Sequence, residues 1–322
     1  MTRPSLFSVA ACAPRSNRGA MKFHPLAALA CLISLASCAP QTGTLPGGQA
    51  IHATRPLRIA SWNLEFLAEK DGVGCEPRNA ADYQAMRRIV DNLDADVIAF
   101  QEAENLAAAA RVFDPARYTI LMEALPGDPS GSCGGQHPEQ SFIRQAVGFA
   151  IKKTIAFDRH PDVTSLTQGN PQLRSGVDVT LKPQGHAAVR LLAIHLKSGC
   201  FSGAEGKACP TLLGQIPALE AWIDAAAAGQ DRFAVLGDWN RRLALPQDPV
   251  WTDIDDGDPA NADLRLADAG TPPTCDPRYD SFIDHIVLDR RAGLDLLSFS
   301  ETLYAKGEKH ASDHCPISVS LR

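Results

Sequence analysis

Side chains that could bind a metal ion or move a proton recur at the ends of predicted β-strands. Glu102 follows the apolar run DVIAF, and Asp238 and Asn240 follow the run FAVLG. Ligand and catalytic residues concentrate where the strands of an α/β sheet give way to loops. We therefore expect one site to collect these residues and the polar residues at other strand ends, namely Asn63, His195, Asp284, Asp313 and His314.

The chemistry of this set is that of metal-assisted hydrolysis of a phosphoester. Carboxylate and amide oxygens are hard ligands that suit Mg²⁺, Mn²⁺ or Ca²⁺, and the absence of a CxxC pair argues against a zinc centre. The two histidines exchange protons near neutral pH. Asp284 is placed to fix the tautomer of a histidine and to favour its charged form. Metal, base and amide donors together predict attack of water on a phosphate.

The elements that position these residues read as a mixture of strands and helices. Helical spacing of apolar residues covers 79–92, 106–113 and 211–228, whereas short apolar or β-branched runs indicate strands. The predicted strands span 57–62, 96–100, 146–151, 177–181, 189–196, 233–236, 283–288, 294–299 and 317–321. Strands and helices do not alternate strictly, which favours a layered α/β fold over a barrel.

Six short motifs occur in one order along residues 57–322: WN (62–63), QE (101–102), HLKSG (195–199), GDWN (237–240), IDHIVL (283–288) and SDHCP (312–316). Taken together, they closely resemble the endonuclease/exonuclease/phosphatase superfamily. The resemblance implies one catalytic domain over 57–322. Its expected fold is a four-layered α/β sandwich, with two packed mixed β-sheets flanked by helices and the site at one sheet edge.

The resemblance also implies roles for the residues. Glu102, with Asn63 beside it and Asp313 as a second carboxylate, resembles the metal-binding group, which would hold Mg²⁺, or Mn²⁺ or Ca²⁺ as alternatives. Asp238 and Asn240 resemble the pair that orients water and contacts the phosphate. His314 resembles the general base or a phosphate-contacting histidine held by Asp284. His195 resembles the second histidine of secreted deoxyribonucleases and sphingomyelinases.

Two departures from the deoxyribonuclease pattern bear on the substrate. The stretch Ala103-Glu104-Asn105 stands where pancreatic-type enzymes carry a groove-reading arginine, and Gln145 stands where they carry a glutamate that supports the second histidine. Arg144 is expected to contact phosphate instead. We predict a metal-dependent phosphodiesterase, most simply a monomeric nuclease. A phosphatase, a sphingomyelinase-like enzyme and a non-catalytic binding module on the same fold are the alternatives. DNA versus RNA and endo versus exo attack stay open.

The N-terminus reads as an export signal rather than a fold element. Its apolar run LAALACLISLA is too short for a bilayer-spanning helix and ends in a lipoprotein-like box before Cys38. We predict a signal peptide over 1–38, lipidation at Cys38 and a flexible tether over 39–56. The protein would then be anchored to a bacterial outer membrane or lie in the periplasm. An ordinary signal peptide and an uncleaved anchor are the alternatives, and either Met1 or Met21 could be the start.

Charge and cysteine content fit an exported enzyme with a local cation. The chain of 322 residues carries a net charge of −6, and an acidic body does not grip polyanions by bulk charge. Of the nine cysteines, six remain beyond Cys38, and six cysteines allow 15 pairings. The spacing favours a Cys200–Cys209 disulfide, and Cys75–Cys133 is a weaker expectation.

Several conspicuous residues have a plainer interpretation. Trp62 and Trp239 are expected to pack beneath the site rather than to stack on a base. His285 should point away from Asp284, because side chains alternate along a strand. Arg241 and Arg242 are either solvated or phosphate contacts. The acidic stretch 253–263 lacks EF-hand spacing and is expected to be a solvated loop.

Overall fold

The computed structural model describes residues 55–124, 131–135, 137–304 and 309–322. The predicted signal peptide, Cys38 and nearly all of the predicted tether lie outside the described residues. None of the described helices has the length and apolarity that crossing a bilayer requires.

The described chain forms two six-stranded sheets. Their strands are β1 (Leu57–Leu67), β2 (Val97–Ala103), β3 (Tyr118–Met122), β4 (Ala146–Lys152), β5 (Ala156–Arg159), β6 (Val177–Lys182), β7 (Val189–His195), β8 (Arg232–Asp238), β9 (Arg265–Leu266), β10 (Asp284–Leu288), β11 (Leu296–Glu301) and β12 (Ile317–Leu321). The first sheet has the order β11-β12-β1-β2-β4-β3, and the second has the order β5-β6-β7-β8-β10-β9. One parallel pair lies inside each sheet, β1 with β2 and β7 with β8, so both sheets are mixed.

The α-helices are α1 (Ala80–Leu93), α2 (Leu106–Val112), α3 (Cys209–Ala227), α4 (Pro249–Ile254) and α5 (Arg290–Asp295). The central strands are buried on both faces, which explains their continuous apolar runs. Within β2, Val97 and Ala99 enter the core between the sheets, whereas Ile98 and Phe100 pack under α1 and α2. On the other sheet, α3 and α4 cover the outward residues of β7 and β8. The predicted four-layered α/β sandwich is confirmed.

The helix ends follow from capping residues. Asn79 accepts hydrogen bonds from the N–H groups of Ala81 and Asp82, and the Asp82 carboxylate accepts one from the Asn79 N–H, which forms a complete capping box. Asp289 caps α5 by accepting the Ala292 N–H at 2.8 Å. Because α5 occupies 290–295, the predicted strand 294–299 begins at Leu296 instead.

Several short elements were not predicted from the sequence. They are β3, β5, β9 and α4, together with α5. Strand β5 is largely exposed and therefore lacks an apolar run, and α4 is a helix of 6 residues inside the polar stretch 244–278. These elements depend on contacts with the larger ones rather than on a strong local pattern.

Two backbone irregularities sit where the strands reach the site. In β1 the register with β2 shifts between Asn63 and Leu67, and within this bulge Glu65 and Phe66 adopt φ values of 47° and 50°. In β8, Gly237 has a φ of 149°, and a Cβ there would lie 2.0 Å from the carbonyl oxygen of Ile194 on β7. No side chain fits at this position, so glycine sets the close approach that places Asp238 beside β7.

Three disulfides tie down loops at this end of the sandwich. The structure joins Cys200 to Cys209 and Cys75 to Cys133, the two pairings that the sequence favoured. The third disulfide, Cys275–Cys315, was not predicted. It connects the long loop before β10 to the residue directly after His314.

Candidate metal-dependent active site

The predicted site residues converge on one cavity of about 720 Å³. Those that line it are Glu102, His195, Asp238, Asn240, Asp284, Asp313 and His314. Strand register explains part of this convergence, because His195 pairs with Asp238 across β7 and β8, and Asp284 pairs with Asp238 across β10 and β8. Paired residues share a sheet face, so the three side chains form a row.

Asn63 lies buried beneath the carboxylates and links the two sheets. Its Nδ2 donates to Oε1 of Glu102 at 3.2 Å and to Oδ2 of Asp238 at 3.0 Å. Its backbone carbonyl accepts a hydrogen bond from Ser312 Oγ at 2.8 Å. This single amide therefore fixes Glu102 from the first sheet against Asp238 from the second.

Glu102 owes its position to strained backbone. Its own φ is 64°, in the left-handed region that few residues other than glycine adopt. Its Oε2 accepts the N–H of Phe66 at 3.0 Å, which is available because the bulge of β1 frees it from strand pairing. Such outliers concentrate at functional sites, where the surrounding structure holds them.

Asp238 is the central carboxylate of the cavity. Its Oδ1 accepts the N–H of Asn240 at 2.8 Å, and the Asn240 side chain donates to the carbonyl of Leu196 at 3.1 Å. Burial, together with the neighbouring Asp284, raises the pKa of Asp238 to about 7, although His314 and the hydrogen bonds to Asn240 and Asn63 oppose the change. A cation beside this group would relieve the same cost.

The ring and the backbone carbonyl of His314 each take part in a hydrogen bond. Nδ1 hydrogen-bonds to Oδ2 of Asp284 at 2.6 Å, which leaves Nε2 facing Asp238 Oδ2 at 3.9 Å. The His314 carbonyl accepts the indole N–H of Trp62 at 3.0 Å. Burial alone would lower the pKa of His314, but Asp284 and the other carboxylates raise it well above its ordinary value. The Asp284 carboxylate thus favours the imidazolium form of His314.

His195 differs from His314 in its hydrogen bonding and in the direction of its pKa shift. It is buried, its Nε2 lies 3.5 Å from Asp238 Oδ2, and its Nδ1 has no hydrogen-bond partner among the described residues. Burial lowers the pKa of His195 well below its ordinary value, and the positive charge of Arg174 lowers it further. Gln145, which the sequence placed near this histidine, instead accepts a hydrogen bond from Arg174 Nη2 at 2.6 Å. The surroundings thus shift the pKa values of the two histidines in opposite directions.

Arg174 is a basic residue at the cavity wall that the sequence gave no reason to select. Arg144, predicted to contact phosphate, does not line the cavity, and its Nη2 lies 3.4 Å from the Glu123 carbonyl. The geometry therefore does not support the phosphate contact predicted for Arg144. Arg174 stands in a polar loop without a local motif, so only the packing of the two sheets brings it near.

Glu123 is a buried carboxylate behind this wall that the sequence also gave no reason to select. It accepts the N–H of Val147 at 3.0 Å, and the N–H and hydroxyl of Ser175 at 2.6 and 2.7 Å. It thereby links the first sheet to the loop that carries Arg174. Burial raises the pKa of Glu123 to about 7, against the opposing effect of these hydrogen bonds.

The residues set aside on sequence grounds lie mostly in the core. Trp62 and Trp239 are fully buried. His285 points away from the cavity, with Nδ1 at 3.0 Å from Asp268 and Nε2 at 2.8 Å from the Arg241 carbonyl. Arg241 is buried against Asp248 at 2.7 Å, whereas Arg242 lines the cavity. Arg241 is therefore a structural residue, and Arg242 is a candidate contact for substrate.

The donor set fits a hard divalent cation. Ligand atoms of Asp238, Asp284 and His314 lie within 4.8 Å of one another, which makes them one geometric cluster. Asp284 and His314 already form a hydrogen bond with each other, however. Mg²⁺ prefers oxygen ligands, with water and phosphate completing its coordination shell. Glu102 and Asp313 place further carboxylate oxygens on the same cavity, beside the buried Asp238, so the oxygen donors as a set suit a hard cation.

A protein-family model matches most of this sequence. The model of the Endonuclease/Exonuclease/phosphatase family matches residues 60–314. The chain belongs to this family. Members of the family are phosphoesterases, and the matched residues include all eight that the sequence brought together. No curated protein matches this sequence.

Solved structures show the same fold at low identity. A truncated TDP2 from Caenorhabditis elegans has a TM-score of 0.57 at 17% identity, over 82% of this chain and 96% of that chain. The 3'-5' exonuclease NExo from Neisseria meningitidis has a TM-score of 0.54 at 13% identity, over 82% and 99%. The catalytic domain of human Nocturnin has a TM-score of 0.53 at 12% identity, over 83% and 93%.

Proposed function

We propose that this family member is a divalent-metal-dependent phosphodiesterase and that its substrate is a polynucleotide. One observation carries the proposal: His195 and His314 flank Asp238, with their Nε2 atoms 3.5 Å and 3.9 Å from its Oδ2, in a cavity that also collects Glu102 and Asp284. A structural role would not require buried carboxylates and imidazoles to face one another at such a cost in desolvation.

Each residue then has a distinct task. Glu102, Asn63 and Asp313 would hold the cation, which supplies a Lewis acid for a phosphoryl oxygen when bound. Asp238 and Asn240 would orient the attacking water. Neutral His195 is able to accept a proton at Nε2, and charged His314 is able to donate one from Nε2 or to contact the phosphate. Asp284 keeps His314 in this orientation through Nδ1.

Polynucleotide is the substrate that the cavity favours. Arg174, Lys197 and Arg242 place three positive charges on its walls, so phosphates are attracted locally although the whole chain is acidic. The Neisseria NExo is named as a 3' phosphatase bound to a product DNA hairpin. This likeness in fold supports nucleic acid over other phosphoesters.

The metal requirement has a test that does not depend on turnover. We expect Mg²⁺ or Mn²⁺ to raise the melting temperature of the wild-type protein, because a cation that binds only the folded state stabilises it. Glu102→Gln should abolish this rise, whereas Asp276→Asn, a carboxylate on the same cavity paired with Arg278, should keep it. A rise of equal size in the Glu102→Gln variant would remove Glu102 from the metal site.

The activity test uses the full chain made in an oxidising compartment. Plasmid, single-stranded DNA, RNA and bis-p-nitrophenyl phosphate are incubated with Mg²⁺ and again with EDTA. Chelator-sensitive cleavage of a polynucleotide that is lost in Asp238→Asn and in His314→Gln would support the nuclease. Cleavage of the small diester alone would move the proposal to a phosphatase or lipid substrate. No cleavage by folded protein would favour the binding module.

We further propose that the protein is exported and held at a membrane by lipid on Cys38. The apolar run before Cys38 and the three disulfides of the folded chain support export to an oxidising compartment. Intact-mass analysis should find an acylated N-terminal cysteine, and cell fractionation should find the protein in the membrane fraction. Both results should be lost in Cys38→Ala. A soluble, unmodified product from the wild-type gene would contradict the anchor.

A further inference from the structure

The exposed aromatic side chains of this protein are not scattered over its surface. Within the described residues, three aromatic side chains are exposed, namely Phe142 at 39%, Phe201 at 41% and Tyr279 at 51%, and all three line the candidate active-site cavity. The four exposed leucines of the described residues, by contrast, do not line it. Exposed aromatic groups gathered at one cleft mark a binding surface.

A disulfide lies close along the chain to two of these aromatics and braces the third through a backbone hydrogen bond. Phe201 follows Cys200 directly, and Tyr279 lies four residues after Cys275. The Phe142 N–H donates to the carbonyl of Gly131 at 3.1 Å, two residues from Cys133. The rings are therefore presented on braced loops rather than on free ones, so little conformational entropy would be lost when a ligand binds them.

Phe66 adds a fourth ring and connects the rim to the catalytic carboxylate. Its ring stacks on Phe142, with centroids 6.2 Å apart and planes at 25°. Its N–H, in the bulge of β1, holds Glu102. Phe66 is a bulky residue with positive φ, and such backbone strain persists only where other interactions compensate for it. Here the bulge both orients Glu102 and turns a phenyl ring onto the cavity wall.

Positive charge accompanies the rings. Lys197 and Arg242 line the same cavity, and Nε of Arg242 has no hydrogen-bond partner in the described part of the chain. Two of the acidic residues on this wall are already engaged, since Asp276 pairs with Arg278 and Glu301 accepts the N–H groups of Thr274 and Cys275. Aromatic rings beside cations form the usual surface for unpaired nucleic-acid bases and their phosphates.

From these observations we propose that the rim, defined by Phe66, Phe142, Phe201 and Tyr279, stacks unpaired bases on either side of the scissile phosphate. The enzyme therefore prefers single-stranded polynucleotide to intact duplex. This inference rests on the proposed function and adds the strandedness of its substrate. A concave cavity of about 720 Å³ has the size of a small-ligand pocket, which suits unstacked nucleotides and not a paired helix.

The test compares three oligonucleotides of equal length: a single strand, the same strand in a duplex, and a strand of abasic residues with the same backbone. The wild-type protein should cleave the normal single strand with a kcat/KM about 5- to 150-fold above that for the abasic strand, the range expected from stacking of one base. The duplex should be the poorer of the two base-containing substrates.

Phe142→Leu removes the ring but keeps an apolar side chain at an exposed position, so the fold should be preserved. We expect this variant to lower kcat/KM on the normal single strand within the same range and to leave the abasic strand unaffected. Phe142→Trp should restore the wild-type preference. Leu297→Ala, an exposed apolar residue away from the cavity, is the matched control and should change neither rate.

The outcomes separate this inference from the proposed function. Equal cleavage of normal and abasic strands by the wild-type protein, or an equal loss on both strands in Phe142→Leu, would overturn base stacking while leaving the nuclease intact. Cleavage of sphingomyelin vesicles, weakened by Phe142→Leu, would assign the rim to lipid instead. A wild-type protein that cleaves no polynucleotide, like Asp238→Asn, would overturn both proposals together.

Discussion

The hydrogen bond between Asp284 and His314 is the most sharply testable contact in the cavity. At 2.6 Å it fixes the ring and stabilises its charged form. Replacing Asp284 by Asn removes the charge but keeps the shape. We expect kcat to fall by about 10²- to 10⁴-fold, the usual contribution of a positioned acid or base, with KM little changed. Single-turnover cleavage of a polynucleotide measures the effect.

The matched control for this variant is Asp276→Asn, which alters another carboxylate of the same cavity without touching His314. It should retain most of the wild-type kcat. A comparable loss in both variants would mean that the cavity needs its overall negative charge rather than an oriented histidine.

Glu123 makes a prediction about the pH dependence of stability. Its folded pKa is raised from 4.5 to about 7, so the folded state binds the proton more tightly than the unfolded state does. The stabilising effect is complete below about pH 4.5 and is lost as the pH rises towards 7. Relative to Glu123→Gln, which does not titrate, the wild-type protein should lose roughly 2–4 kcal/mol across this window.

Urea unfolding of both proteins at several pH values measures this difference. If the wild-type free energy of unfolding shows no fall against that of Glu123→Gln between pH 4.5 and 7, and instead rises with pH below about 4.5, the folded pKa of Glu123 is depressed rather than raised. The three hydrogen bonds to Glu123 would then outweigh its burial.

Residues that lie in short ordered motifs could be found from the sequence. Asn63, Glu102, Asp238 and His314 each follow or precede a recognisable strand, and strand ends meet at one sheet edge. Arg174 could not be found in this way, because its approach to Gln145 joins elements of two different sheets. Likewise, no local sequence pattern indicates that His195 Nδ1 lacks a hydrogen-bond partner among the described residues.

At the scale of elements, the backbone at the end of β8 is the critical feature. A Cβ on Gly237 would sit 2.0 Å from the Ile194 carbonyl, and its φ of 149° is unfavourable for any other residue. Gly237→Ala should therefore lower the free energy of unfolding by about 3 kcal/mol or more. Urea denaturation provides the measurement.

Gly134→Ala is the control for this substitution, since no atom lies within 4 Å of a Cβ at that position. Its free energy of unfolding should stay within about 0.5 kcal/mol of the wild-type value. If Gly237→Ala were equally mild, β7 and β8 would have to separate easily, and the row of His195, Asp238 and Asp284 would not be rigid.

The long, fully buried strands and the helices α1 and α3 follow from apolar periodicity, and their predicted limits lie close to the observed ones. Strand β3 (YTILM) was missed although it is apolar, because most of its residues are only partly buried at a sheet edge. The bulge of β1 has no sequence signal of its own. Within the bulge, the Phe66 N–H donates to Glu102 and the Phe66 ring stacks on Phe142 at the cavity wall.

At the scale of the whole molecule, the Cys275–Cys315 disulfide joins the loop of Tyr279 to the segment of His314. Replacing both cysteines by serine opens a loop of 40 residues and should lower the free energy of unfolding by roughly 4 kcal/mol. Activity should fall as well, because His314 precedes Cys315 directly. Urea unfolding and cleavage of a small diester report the two effects.

The Cys200–Cys209 pair, which closes 9 residues, is the comparison. Its removal should cost less, roughly 2.5 kcal/mol, and should leave cleavage of a small diester intact. Equal losses of diester cleavage in the two double variants would show that the disulfides act through general stability alone. Sequence spacing indicated this short pair, whereas no sequence feature singled out Cys275–Cys315.

The three braced loops also bear on when the protein becomes active. Cytoplasm keeps thiols reduced, whereas exported proteins meet an oxidising compartment. Under the export proposed above, a newly made chain would lack the disulfides near its aromatic rim and after His314 until it had left the compartment in which it was synthesised. Under the proposed nuclease activity, the site would then become fully braced only where the producing cell's own nucleic acid is out of reach.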